Sequence, residues 1–287
     1  MVVISIKPIL KKSVVLIFPS AIIIQMSERE ELEFCCLGID FGVTKSCVAV
    51  WRGEEIETVT NDLNRRIIPS CFAFVDKKEY FGSEAETFAQ KAPESIIYGL
   101  KYLVNDSSRI KLLPEHLTVN KILSMYFKHI KDISEKRLEF QATKAVITVP
   151  TLFTHSEKQI IKKAAEGAGF QVVSTLDDTI AAMTAYGLNK RAIEKTKNVL
   201  IFDMGGRNCT TSIVTVTKES MNIKAIRLSP GGDSCTDILV KHFMNEIKTT
   251  CNVDVSTDTN TVSRLHIACN FLKHGVSSEQ TVNTYLK

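Results

Sequence analysis

Leu37-Gly38-Ile39-Asp40-Phe41-Gly42-Val43-Thr44-Lys45-Ser46 runs straight into the apolar stretch Cys47 to Trp51. The order is that of a buried strand ending in an aspartate, a glycine-bearing turn, and a second strand. A glycine turn lets backbone N–H groups converge on an anion, and an aspartate beside it can hold Mg²⁺ through water. One such hairpin is weak evidence, because strand-Asp-x-Gly occurs in many ordinary turns. The same message recurs far downstream, where Val199-Leu200-Ile201-Phe202-Asp203-Met204-Gly205-Gly206-Arg207-Asn208 leads into Cys209 to Val216. Two such hairpins, far apart in the chain, point to a pair of related lobes gripping one nucleotide from opposite sides.

The 287 residues suffice for one large domain or two small ones. A composition of 44% hydrophobic and 24% charged residues, with mean hydropathy near zero, is that of a soluble globular protein. The net charge of +4 is too slight to argue for nucleic acid, and no basic stripe with interleaved aromatics occurs. Eight cysteines (35, 36, 47, 71, 209, 235, 251 and 269) form no CxxC pair and no metal spacing with histidine. Several lie in apolar runs, where cysteine acts as a small hydrophobe, so a reduced compartment is expected. Residues 1–33 read as a leader or extension. Lys7, Lys11 and Lys12 precede the apolar run Val14 to Ile24, which Pro19 interrupts and which is short for a bilayer span. The readings are a translated leader ahead of a natural start at Met26, a secretory signal or anchor without a good cleavage site, and an ordered core element.

Between the two hairpins the chain alternates. Glu55–Thr60 and Ser70–Val75 read as strands, 84–90 as a helix, and 117–138 as a long helix with Leu117, Ile122, Tyr126, Ile130 and Ile133 on one face. Ala145 to Pro150 is a buried strand, and Thr154-x-x-Glu157 has capping-box spacing ahead of a helix over 155–166. Gln171–Leu176 is the next strand, and Asp177-Asp178-Thr179 starts an alanine-rich helix stopped by Gly187. This strand–helix–strand–helix order implies parallel pairing with right-handed crossovers. After a polar, basic linker at 189–197, strands are expected at 199–203, 210–216 and 221–228, and helices near 233–248 and 261–274.

These motifs, taken together and in order, resemble the heat-shock protein 70 family. The resemblance rests on Gly38-Ile39-Asp40-Phe41-Gly42-x-Thr44, Asn61-Asp62…Pro69-Ser70, Ala145-Val146-Ile147-Thr148-Val149-Pro150, and Ala181-Ala182-x-x-Ala185-Tyr186-Gly187-Leu188. Asn198 to Gly206 and Gly231-Gly232…His242-Phe243 complete the series, which covers about 36 to 280. The resemblance implies an α/β, two-lobed actin-like ATPase fold with ribonuclease H-like lobes, lobe one over 34–188 and an incomplete lobe two over 198–287, with no peptide-binding domain. It implies ATP or ADP with Mg²⁺, a chaperone function in protein folding, and nucleotide-exchange factors and J-domain co-chaperones as partners. Neither nucleic acid nor a direct client site is expected. A cytoplasmic location follows, or the secretory pathway if residues 1–25 are a functional signal.

Carried over position by position, Asp40 falls where the family coordinates Mg²⁺ through water, and Gly42, Val43, Thr44 and Lys45 fall in the first phosphate hairpin. Lys101 falls at the lysine that positions the γ-phosphate and attacking water. Asp203, Gly205 and Gly206 fall in the second hairpin, with Asp203 in both a metal and a catalytic role. Asp178 stands near the metal, Gly231 and Gly232 near the phosphates, and Lys273 and Ser277 near the adenosine. Pro150 and Lys158 match an interdomain relay. The departures are equally specific. Val43 lacks the expected hydroxyl, Arg207 replaces a third glycine, Thr210 replaces a carboxylate, and Asn270 and His274 replace the ribose and adenine contacts. The stretch between Lys101 and Pro114 is short for the family.

Each residue also has a plainer reading. Asp40 and Asp203 could cap strand ends, Lys101 could snorkel to the surface, and Asp178 could be a helix N-cap. Lys273 and Ser277 could be an exposed helix end. Two functions stand side by side: an ATP-binding chaperone-family protein, at most a slow ATPase, and a non-enzymatic interaction module keeping chaperone-like surfaces.

Overall fold

The computed structural model describes residues 14–15, 35–52, 55–89, 91–111, 113–187 and 196–276. In chain order the elements are β1 (Val14–Val15), β2 (Cys35–Asp40), β3 (Lys45–Arg52), β4 (Glu55–Thr58), β5 (Ile68–Pro69), β6 (Cys71–Val75), β7 (Lys78–Phe81), α1 (Gly82–Glu86) and β8 (Ile96–Tyr98). They continue as α2 (Val119–Leu138), β9 (Ala142–Val149), α3 (His155–Gly167), β10 (Val172–Asp177), α4 (Asp178–Ala185), β11 (Lys197–Met204), β12 (Asn208–Val216), β13 (Met221–Pro230), α5 (Gly232–Cys251) and α6 (Thr259–Gly275).

The first lobe is built on a sheet of order β10-β9-β2-β3-β4, with β5 pairing β3. β10, β9 and β2 run parallel, and β2–β3–β4 is an antiparallel meander. The parallel half is joined by α3, as a right-handed crossover requires. A small β7-β6-β8 sheet lies outside it. The second lobe repeats the hairpin, with β11, β12 and β13 antiparallel and β1 alongside β11 in parallel. The two hairpins have the same registration: Asp40 pairs with Cys47 and Asp203 with Thr210, each seven positions on.

Helix starts follow local chemistry. Thr118 caps α2 by accepting from the Lys121 amide, and Thr154 and Glu157 form a reciprocal capping box on α3. The apolar face of α2 then packs on the sheet, where Phe41 meets Tyr126 and Phe127 with ring centroids 5.9 and 5.0 Å apart. Leu37, Ile39, Phe41, Ile122, Tyr126, Ile147 and Ile161 belong to one continuous core. Among the described residues the second lobe has no such body. Met183 of α4 packs with Val199, Ile201, Val214 and Val216, while Val240, Leu265 and Cys269 form a separate cluster between α5 and α6.

Some expectations shift. The helix read at 84–90 is the shorter α1, entered through Gly82 at φ +57° and flanked by turns. Beyond it, β8 is followed by a left-handed Gly99 and a 3₁₀ turn over Leu100–Val104. The linker at 189–197 lies largely outside the described residues, as does the N-terminal extension apart from Val14–Val15. Among the described residues no helix is long and apolar enough to cross a membrane.

Candidate functional site

The first hairpin turn is shaped by its own backbone. The Thr148 hydroxyl of β9 donates to Asp40 Oδ1 at 2.8 Å and accepts from the Phe41 amide at 3.1 Å, so the neighbouring parallel strand aims the carboxylate. At Gly42 a Cβ would run into the Lys45 carbonyl oxygen, which makes glycine obligatory there. Beneath the turn, the Ser46 and Ser70 hydroxyls are 2.9 Å apart, and the buried Tyr126 hydroxyl donates to Ser46 Oγ at 3.0 Å. The Ser70 amide donates to the Thr44 carbonyl and the Ser70 carbonyl accepts from the Gly99 amide. This polar network ties the turn to the 3₁₀ segment carrying Lys101. Val43 packs across the cleft side of Gly99, where a Cβ would touch its Cγ1 at 3.4 Å.

Lys101 is only 5% exposed, so the snorkelling alternative fails. Its ammonium lies 5.9 Å from the Phe41 ring centroid. Burial pushes its pKa down, while the charges of Asp40, Asp178 and Asp203 oppose that shift. Those carboxylates also act on one another. Burial, with Asp178 and Asp40 adding to it, pushes Asp203 up to about 6, against the pull of Lys101. Asp40, Asp178, Asp203 and Lys101 thus converge electrostatically, although they arise from both lobes. Asp178 is the first residue of α4 rather than its N-cap, which is Asp177. One oxygen, Asp178 Oδ1, accepts from the Thr151 hydroxyl (2.8 Å), the Thr151 amide (3.2 Å) and the Thr179 amide (2.7 Å). Lys158 pairs with Asp177 at 2.5 Å, fixing α3 against the start of α4.

The second hairpin turn is held from below by the start of α5. The amides of Gly231, Gly232 and Asp233 donate to the carbonyls of Arg207 (2.8 Å), Gly205 (3.0 Å) and Gly206 (2.6 Å). Gly231 and Gly232 therefore support the turn, and their own amides are already engaged. At Gly231 a Cβ would lie 2.7 Å from the Gly205 and Gly206 carbonyls. Lys273 donates to the Gly232 carbonyl at 3.0 Å and to Thr236 Oγ1 at 2.8 Å, so it is tied to this loop rather than being a loose helix end. Ser277 lies outside the described residues. The two turns touch: a Cβ on Gly206 would overlap the Thr44 methyl group and stand 2.7 Å from its hydroxyl. Lys45 and His274 face each other electrostatically, the lysine depressing the histidine pKa after burial.

Sequence reasoning missed Thr148 and Thr151 as orienting hydroxyls, and it missed Tyr102. The Tyr102 hydroxyl accepts from the Asn208 side-chain amide, and the Arg207 guanidinium lies 4.8 Å from the Tyr102 ring centroid. Adjacency to Lys101 and the substitution at 207 were the available signals.

The donor set and the glycine-lined turns fit a hydrated divalent cation and a chain of phosphates. Among the described residues no group of three or more His, Cys, Asp or Glu side chains is placed to hold a metal ion directly.

A two-lobed α/β architecture with twinned Asp–Gly hairpins defines the actin-like ATPase class. The family profile described as "Hsp70 protein" matches residues 36–109 and 105–287. The chain is 31% identical over 271 residues to heat shock 70 kDa protein 2 of Paracoccidioides lutzii, covering 84% of this chain and 41% of that protein. It is 31% identical over 277 residues to a heat shock cognate HSP70 protein of Trypanosoma brucei brucei (86% and 41%), and 30% identical over 271 residues to a ribosome-associated molecular chaperone of Zygosaccharomyces rouxii (84% and 44%). The chain belongs to the Hsp70 family. It spans about two fifths of the length of these relatives.

Proposed function

We propose that this chain binds Mg²⁺-ATP or Mg²⁺-ADP between its two Asp–Gly hairpins, as the nucleotide-binding part of a chaperone-type protein, and hydrolyses ATP slowly. The observation that carries this reading is the convergence of Lys101, Asp40, Asp178 and Asp203 beside two touching glycine turns. Bound Mg²⁺ would supply charge neutralisation for the phosphoryl group being transferred. Asp40, Asp178 and Asp203 hold the waters of the cation, and Thr148 and Thr151 keep two of those carboxylates aimed. Backbone amides of the first turn receive phosphate oxygens, with Gly42 and Gly206 permitting close approach. Lys101, buried and aimed by the Ser70 network, and Asp203 orient the attacking water. Lys273 reaches the adenosine side of the loop at Gly231–Gly232.

Two substitutions slow the reaction. Val43 withholds a hydroxyl and Thr210 a carboxylate from a site that works by preorganised polar groups, and losing one such group lowers the rate by about 10²–10³-fold. Nucleotide-exchange factors and J-domain co-chaperones are the partners this reading suggests, in a cytoplasmic setting. Isothermal titration of the full chain with ATP and ADP, with and without Mg²⁺, tests binding. Saturable heat that requires Mg²⁺ supports the proposal, whereas no heat at millimolar nucleotide in a folded sample overturns it and favours the non-enzymatic module. Single-turnover ATPase tests the slowing, and Thr210→Asp should raise the rate.

A further inference from the structure

Among the described residues the lobes meet through contacts of different chemistry. At one side α4 lies against the second sheet, with Met183 buried among Val199, Ile201, Val214 and Val216, and the Thr179 and Ser212 hydroxyls 3.3 Å apart. That contact is buried. At the other side the join is made by Tyr102, whose hydroxyl accepts from Asn208 and whose ring faces the Arg207 guanidinium at 4.8 Å. Tyr102 and Asn208 are partly buried and Arg207 is exposed.

Both ends of this second contact are backed by fixed backbone. The Tyr102 amide donates to the Gly99 carbonyl at 2.9 Å, and the Tyr102 carbonyl accepts from the Asn105 and Asp106 amides. The Arg207 carbonyl accepts from the Gly231 amide, and the Gly205 amide donates to the Asn208 carbonyl. These backbone bonds support both partners, so separating the lobes at this side breaks the contacts of Tyr102 with Arg207 and Asn208. Between them Gly206 approaches Thr44 so closely that a Cβ there would overlap the Thr44 methyl group.

From this arrangement we propose that Tyr102, with Arg207 and Asn208, is an interlobe clasp that holds the phosphate end of the cleft shut, the lobes pivoting on the α4–β12 contact when it opens. Its ligand class, a nucleoside phosphate, rests on the function proposed above. The clasp needs an aromatic hydroxyl at 102 and a cation at 207. Arg207 therefore acts across the lobes and points its charge at a ring rather than at the carboxylates. Tyr102 is a positioning residue, since it controls how far the two turns can separate.

The test uses the full chain and two readouts. In nucleotide-free protein, hydrogen exchange of the amides over 205–209 is measured for wild type, Tyr102→Ala, Tyr102→Phe and Arg207→Gly. One cation–π contact and one hydrogen bond correspond to about tenfold, so Tyr102→Ala should speed this exchange about tenfold and Tyr102→Phe by less. Exchange in α2 and β9 should stay unchanged, which reports that lobe one is folded. With Mg²⁺ and a fluorescent N-methylanthraniloyl-ADP probe, both association and dissociation should quicken about tenfold in Tyr102→Ala and by less in Arg207→Gly, which keeps the Asn208 bond, while Kd moves far less. The double variant should not exceed Tyr102→Ala, because that variant already breaks both contacts. Unchanged exchange at 205–209, or additive effects in the double variant, would overturn the clasp. If the probe binds no variant while exchange responds as expected, the nucleotide reading fails and the clasp stands as a contact between lobes.

Discussion

Asp203 concentrates the electrostatic problem of this protein in one side chain. Its folded pKa, about 6, lies above the ordinary aspartate value of 3.8 because burial and the charges of Asp178 and Asp40 disfavour ionisation. A carboxylate raised in this way favours the folded state at low pH, and that contribution is lost as pH rises through about 6. At pH 7.5 the nucleotide-free protein therefore carries an unfavourable charge that a divalent cation would relieve. Asp203→Asn should stabilise the nucleotide-free chain at pH 7.5 by about 2 kcal/mol, with the gain shrinking toward pH 4. The same variant should lose any Mg²⁺-dependence of nucleotide binding, so denaturant titration and calorimetry should move in opposite senses. Gly206 makes a second case. An added methyl group collides with Thr44 across the lobes, and Gly206→Ala should destabilise the chain by about 1–3 kcal/mol, partly recovered by Thr44→Ala. Thermal melts of the two single variants and the double variant check this.

Among the elements, α2 shows how a pattern of apolar residues fixes a position while leaving a titratable group in an awkward place. Its apolar stripe faces the sheet, and this brings His129 beside the Phe81 ring and against Gly82. Burial lowers the His129 pKa below 6.5, while Glu84 of α1, Asp62 of the β4–β5 connection and Asp132 of α2 itself raise it in part. Because the neutral form is favoured in the fold, the stability it contributes is complete above pH 6.5. It is lost as pH falls from there through the lower folded value. His129→Gln should flatten the fall in stability between pH 6.5 and 5, measured as denaturant midpoint against pH. The Thr154–Glu157 box, by contrast, was legible in four residues of sequence, because capping depends on local spacing alone.

For the whole molecule, the unequal cores of the lobes set the order in which they fail. Lobe one encloses a continuous apolar body around Phe41, Tyr126 and Ile147. Lobe two divides its apolar contacts between the α4–sheet cluster and the α5–α6 cluster, and it leaves Phe202, Ile213, Leu228, Ile238 and Phe271 exposed. Burial of apolar area dominates stability, so lobe one should be the harder half to open. Limited trypsin digestion should yield a resistant fragment beginning near residue 34 and ending within the lysine- and arginine-bearing stretch 189–197. Equal survival of a lobe-two fragment, in a monomeric sample, would contradict this.

The sequence alone determined the twin hairpins, the alternation of strands and helices, and the family, because each rests on local periodicity, turn chemistry or an ordered series of motifs. Asp40, Asp203 and Gly42 could be singled out for the same reason, since a strand end and a glycine turn are defined within ten residues. Only the tertiary structure decided that Lys101 is buried rather than snorkelling, that Asp178 is held by Thr151, and that the amides of Gly231 and Gly232 are consumed by the second turn. It also decided that Tyr102 of one lobe meets Arg207 of the other. Those facts depend on which surfaces the long-range packing of α2, α4 and the two sheets brings together. Burial, charge coupling and cross-lobe contact are properties of that packing, and no local spacing of residues encodes them.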